Sequence, residues 1–156
     1  MEKIPVPLNQ IFILLGMALA VNILCGPSIA DSNDILGTWS VIGELVTSTA
    51  EDPNDPYAPK PGDIKPDTWI IDDSGSGPVL TGSSGSIQGQ YTLNGAIFEG
   101  IYPLGSGVYM AVHIDAVLKR PTSMYGTIQN DYWGTNTVTG EMIKLGLEAW
   151  KFDATK

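Results

Sequence analysis

The sequence predicts an all-β protein, an antiparallel up-and-down meander closing into a barrel of about eight strands. Three observations carry this expectation. Beyond residue 30 the chain consists of short runs that alternate with period two, and it holds no long stretch of 3.6-residue periodicity. Gly, Ser, Asn and Pro, the residues that turns require, separate the runs. All but one of the separations are short, so consecutive strands become antiparallel neighbours. About eight such strands can close on themselves and leave no exposed edge. The interior of such a barrel is just wide enough for side chains or one small ligand.

The expected strands are residues 36–47, 67–73, 78–81, 86–93, 96–102, 108–118, 123–132 and 141–152. Between the first two, residues 51–66 hold five prolines (Pro53, Pro56, Pro59, Pro61 and Pro66) among the acids Glu51, Asp52, Asp55 and Asp63. Proline removes ladder donors, so this segment reads as one long extended loop. The Asp72-Asp73-Ser74-Gly75-Ser76-Gly77 run has the residues of a strand-joining turn. It shares some residues with calcium loops but lacks the ligand spacing of an EF-hand.

Asn94-Gly95 is the clearest turn signal, because both residues tolerate the positive φ of a two-residue type I′ hairpin. A turn centred there pairs Leu93 with Ala96, Tyr91 with Phe98, Gly89 with Gly100 and Ile87 with Tyr102, all on one apolar face. The opposed glycines imply a sharp bend or room for a bulky neighbour. In the next run Met110, Val112, Ile114, Ala116 and Leu118 share a face, with Tyr109, His113 and Asp115 opposite. Lys119 to Thr122 make a polar turn into the seventh strand. In the last run Ile143, Leu145, Leu147 and Ala149 share a face, and Trp150 and Phe152 fall opposite. A bulge near Trp150 would re-aim its ring.

Residues 1–30 read as an export signal. Lys3 lies in a short polar start, offset by Glu2, and an apolar run covers residues 11–25. Gly26 and Pro27 follow, and small residues, Ser28 and Ala30, stand three and one positions before Asp31. The apolar run is shorter than the roughly twenty residues a bilayer span needs, and Asn22 interrupts it. Leu24 before Cys25 departs from the small residue that lipoprotein signals carry there. The expectation is cleavage after Ala30, a secreted or periplasmic location, no stable membrane association afterwards, and one domain over residues 31–156.

Charge and cysteine content narrow the function classes. The chain carries a net charge of −9, and Glu2 and Lys3 cancel within the signal, so the remainder keeps all of it. An acidic surface repels phosphate backbones and anionic lipid heads, so nucleic acid is not expected as a partner. The one cysteine, Cys25, lies in the signal. An exported domain with no disulfide fits a prokaryotic envelope, and its size permits a core without staples.

Candidate chemistry is sparse. His113 is the only histidine, so a multi-histidine metal site is excluded, and no cofactor motif or marked nucleophile is present. His113 and Asp115 share a strand face, either as a solvent-facing polar pair or as an oriented base. Tyr91, Phe98 and Tyr102 share the inward face with Met110. They form either an ordinary core or the walls of a cavity gripping an apolar ligand.

Gly37-Thr38-Trp39 at the start of the first strand resembles the opening motif of lipocalins and related calycin barrels. There the Trp plugs the closed end, a closure role implied here for Gly37 and Trp39, with Trp150 on the closing strand. Asn130-Asp131-Tyr132 resembles the lipocalin Thr-Asp-Tyr loop motif, with Asn in place of Thr. The Arg that lipocalins stack on the first Trp has no match in the last strand, where only Lys151 is basic.

These observations imply an exported barrel that binds a small hydrophobic ligand without catalysis, with Tyr91, Phe98, Tyr102 and Met110 as its contacts. A barrel-type isomerase or lyase using His113, Asp115 and a Tyr is the second reading. The third is an interaction or inhibitor module presenting loop 51–66. A filled interior favours the third, an open cavity with a buried carboxylate or histidine the second, and an open apolar cavity the first. Protein recovered from the envelope or medium should begin at Asp31 on N-terminal sequencing; intact Met1 on membrane-bound material would reject the cleavage.

Overall fold

Alternation puts one face of each run inward, and eight strands form where the eight runs lie. The computed structural model describes residues 32–49 and 59–156. The strands are β1 (Gly37–Ser48), β2 (Ile64–Asp73), β3 (Pro78–Gly82), β4 (Gly85–Thr92), β5 (Gly95–Gly105), β6 (Val108–Arg120), β7 (Ser123–Thr135) and β8 (Met142–Thr155). Each pairs antiparallel with the next, and β8 returns to β1, so the sheet is a closed barrel. The export signal at residues 1–30, with Cys25, lies outside the described residues, as do residues 50–58 of the proline-rich segment. β2 starts at Ile64, before the expected 67, and takes in Pro66. Pairing with β3 begins only at Ile70, so Pro66 sits where β2 has a partner on one side alone.

The meander gives the barrel two unlike ends. At one, a 3₁₀ turn at Ser32–Ile35 leads into Trp39, which is fully buried and donates its Nε1–H to the Ile35 carbonyl at 2.7 Å. It belongs to one buried cluster with Ile71, Ala96, Phe98, Ala116, Leu118 and Met124. Lys156, one residue past β8, lies over the Trp39 ring at 4.7 Å and donates to the Asp34 carbonyl at 2.6 Å. The cation over the first Trp is therefore present, supplied by Lys156 from beyond the strand and not by a residue within it. The Gly37 backbone, at φ +125°, leaves space beside that lysine.

The β4–β5 hairpin differs from the expected register. Thr92 pairs with Gly95, Tyr91 with Ala96 and Gly89 with Phe98, so the turn residues are Leu93 and Asn94. None of residues 93–95 has positive φ. Gly95 serves a different need: a Cβ there would stand 1.9 Å from the Ala116 carbonyl oxygen, and Asn94 O accepts the Leu118 N–H at 2.7 Å. Close approach of β6 claims the glycine, and the turn forms one residue earlier. The shift preserves the inward face of each residue, because it changes the pairing by two. Gly89 faces Phe98, whose ring occupies the space a Cβ would need, 2.5 Å away. Between β5 and β6, by contrast, the backbone does take positive φ, at Gly105 (φ 94°), Ser106 (φ 52°) and Gly107 (φ 76°).

The bulge on β8 also lies elsewhere. It falls at Leu145, between Gly146 paired with Tyr132 and Lys144 paired with Trp133. Beyond it Glu148 and Trp150 turn inward with the buried Phe152 and Ala154, and Leu147 and Ala149 take the outer face. The Asp72-to-Gly77 run is a turn in which Gly75 N–H donates to Asp73 Oδ1 at 2.7 Å and Ser74 N–H to Gly77 O at 3.1 Å.

Gly95→Ala should cost roughly 1–3 kcal/mol or more by overpacking. Asn94→Ala should cost less than about 0.5 kcal/mol, as at an ordinary surface site. Chemical denaturation of both variants checks the pair, and a large loss at Asn94 would restore the expected turn.

Candidate functional site

Side chains fill the barrel at the Trp39 end and leave a space of about 370 Å³ toward the other. The open end carries the end of β1, the start of β2 and the β3–β4, β5–β6 and β7–β8 turns, and Pro59, Gly82, Ser84 and Gly85 border the cavity there. Inward positions of five strands build its apolar wall: Val41, Leu80, Ile87, Val112, Ile114 and Ile128. Trp69 and Trp150 supply indole faces, from the strands on either side of β1. The Trp69 ring meets Phe152 edge to face at 4.8 Å, joining the cavity wall to the buried core.

Of the four residues expected to contact ligand, the structure brings two together on the cavity wall. Tyr102 and Met110 are cross-strand partners that both line the space. Tyr102 donates its hydroxyl to Ser86 O at 3.0 Å, and burial raises its pKa. Phe98 and Tyr91 do not line it. Phe98 is fully buried in the core near Trp39. The Tyr91 hydroxyl is buried; desolvation first, then the nearby Asp73 carboxylate, raise its pKa. Trp150 stands on the closing strand opposite Leu45, and its indole faces the cavity, away from the Trp39 seal. His113 lies on the outer wall with its Nδ1 2.9 Å from Glu99 Oε1. It and Asp115 take the face opposite Met110, Val112 and Ile114, so neither borders the cavity.

Two polar sites inside the cavity were not foreseen. Glu148 projects inward and accepts at Oε2 from Trp150 Nε1–H at 3.2 Å and from the Asn130 amide at 3.3 Å. Tyr132 lines the same wall; burial first, then the Glu148 charge and hydrogen bonding, push its pKa up to about 12, against a smaller lowering by Asn130. Asn130-Asp131-Tyr132 is thus part of β7 and not a loop, with Asn130 and Tyr132 facing in. Asp131 faces out, and hydrogen bonding to Lys144 Nζ, 2.6 Å away, is the main cause of its lowered pKa.

Also lining the cavity, Asp67 Oδ2 accepts from Trp69 Nε1–H at 3.2 Å and from the Ser83 hydroxyl at 3.1 Å. Gly82 leaves room for this pair, since a Cβ there would stand 3.1 Å from the Trp69 ring. Both carboxylate–indole pairs are written in the sequence as an acid two residues before a Trp, Asp67-Thr68-Trp69 and Glu148-Ala149-Trp150. In a strand that spacing puts both side chains on one face. Lys65 also borders the cavity and is exposed at its rim.

No family model matches this chain, and no curated protein matches it. Among solved structures it is similar to one described as EF1p2_mFAP2b bound to DFHBI, at 13% identity and a TM-score of 0.44, covering 83% of this chain and all of the other. A likeness that distant speaks to neither ligand nor mechanism.

The Tyr132 shift sets a pH dependence. A folded pKa raised above the unfolded value gives a contribution fully present below about pH 10 and lost as pH rises toward 12. Tyr132→Phe should therefore lose less stability than the parent between pH 10 and about 12, read by denaturation at stepped pH. Equal losses would place the Tyr132 hydroxyl in water.

Proposed function

We propose that this protein is a carrier that takes one small, largely apolar molecule into its barrel. The observation behind this is the division of the interior: a packed core at the Trp39 end, and about 370 Å³ bounded mainly by aliphatic and aromatic side chains at the other. That volume lies at the lower end of the ~300–1,000 Å³ range for small-molecule sites. A few convergent polar groups in an apolar wall are the usual composition of such sites. Tyr102, Met110, Val112 and Trp150 are the proposed contacts. The pattern of residues 1–31 supports export to the envelope or medium, where a soluble carrier would work after cleavage.

A carboxylate in the cavity is the one observation that favours the isomerase or lyase reading. Against it, the histidine proposed as base faces solvent. Tyr132 keeps its proton far above neutrality, and Glu148 is held by neutral donors, Trp150, Asn130 and Tyr132. Proton transfer needs a group poised near working pH, and Tyr132 is not one. The open interior weighs against the pure interaction module.

N-phenyl-1-naphthylamine, an apolar dye uncharged at neutral pH, should bind the folded protein at about one per chain. Val112→Trp, which fills the cavity, should weaken binding by about tenfold or more. Phe98→Ala, in the packed core, should cost roughly 3–5 kcal/mol of stability. Absence of dye uptake, or uptake indifferent to Val112→Trp, would refute the carrier. Natural ligand recovered isomerised or cleaved would move the reading to catalysis.

A further inference from the structure

The two carboxylates in the cavity are not equivalent. Asp67 is saturated: Oδ2 takes the Trp69 and Ser83 side-chain donors, and Oδ1 takes the Thr68 and Ser83 backbone N–H groups, at 2.8 and 3.4 Å. It pins the β3–β4 turn to β2. Glu148 receives Trp150 and Asn130, both at Oε2, and also bonds the Tyr132 hydroxyl, three neutral donors in all. An ionised carboxylate offers about four acceptor positions, so Glu148 keeps acceptor capacity toward the cavity.

Among the described residues Glu148 also has no counter-charge. The ion pairs among the described residues are His113–Glu99, Lys144–Asp131 and Lys151–Glu44, none of which involves it. Lys65, the cation at the cavity rim, is exposed and pairs with neither carboxylate. A half-buried carboxylate among Trp, Tyr and aliphatic side chains has lost part of its hydration, and neutral donors restore only some of it. Aromatic faces surround the same space: Trp150 beside the carboxylate, with Tyr132, Tyr102 and Trp69 on the wall. Ring faces attract cations, and the attraction grows as water is excluded.

We infer that the cavity selects an organic cation, an apolar or aromatic body bearing one protonated amine, with the ammonium docked on Glu148. This rests on the carrier reading and narrows it. The ammonium donates to the open side of the carboxylate and lies against the Trp150 indole, and the apolar body fills the space between Val112, Ile114 and Ile128. A ligand ending in a carboxylate meets like charge at Glu148 and is rejected. The net charge of −9 works in the same direction, drawing cations to the mouth.

Three probes of one shape separate the possibilities: 1-naphthylmethylamine, 1-naphthylmethanol and 1-naphthoic acid, titrated calorimetrically at neutral pH. The amine should bind about tenfold or more tighter than the alcohol, as a charge-assisted hydrogen bond allows, and the acid weakest. Glu148→Gln should bring the amine-to-alcohol ratio to within about threefold of one. Equal binding of amine and alcohol, or tightest binding of the acid, would overturn the inference and leave the carrier standing. A ratio that survives Glu148→Gln would overturn the role of Glu148. Binding of none of the three would remove the carrier reading and this inference together. The comparison on the parent protein holds whether or not the variant folds.

Discussion

The seal at Trp39 is the contact on which the rest of the barrel depends. An eight-stranded barrel has little interior, and what fills one end determines what remains at the other. Here one indole, fully buried and bonded to the Ile35 carbonyl, occupies the axis at the point where β1 begins. Lys156 covers it from outside with its ammonium over the ring. The 3₁₀ turn before β1 and the residue after β8 thus meet on a single side chain. With that end closed and packed, the glycines and shorter side chains above it enclose a space and not a channel.

Glycine placement shows how the filled end is built. Gly89 seats the Phe98 ring, and the space beside Gly126 is taken by the Phe152 ring at 2.8 Å and by the Asp115 carbonyl. Opposed glycines on an apolar face read as gaps in a wall when only the sequence is available. In three dimensions they are sockets, and the rings they receive complete the core. The cavity owes its existence to a different set of positions, where Val41, Val112 and Ile128 stop short of the axis and Trp69 and Trp150 lie against the wall, tied to their carboxylates.

Strand number, order and approximate bounds were legible because period-two alternation and turn residues are local properties. What the sequence left open was non-local. The register at Asn94-Gly95 depends on how closely β6 approaches Gly95, which nothing near residue 95 reveals. The inward face of β8 was ambiguous, because both faces are apolar: Leu147 and Ala149 on one, Trp150 and Phe152 on the other. The bulge at Leu145 then changes which parity faces in along the strand. That ambiguity hid Glu148. Lys156 was missed for the opposite reason, since the search for a cation ended with the strand. Tyr102 and Met110 were found on the cavity wall because they share the face that Phe98 also occupies, and only depth along the barrel separates them.

The closing seam has a consequence for how the chain folds. Every strand pair but one joins neighbours in sequence, and the exception brings Ser40 to Thr155. Seven hairpins can therefore zip locally, while the β1–β8 ladder waits for a single long-range encounter. The entropic cost of such an encounter grows only logarithmically with the chain between its ends, about 0.6 kcal/mol for each doubling. Lengthening a loop at the open rim therefore adds little to the cost of closure. The seal is another matter: Lys156, one residue past β8, lays its ammonium over the indole that β1 carries. Pairing of β1 with β8 and covering of the indole thus converge on one ring, so the seal is complete only once the seam has closed.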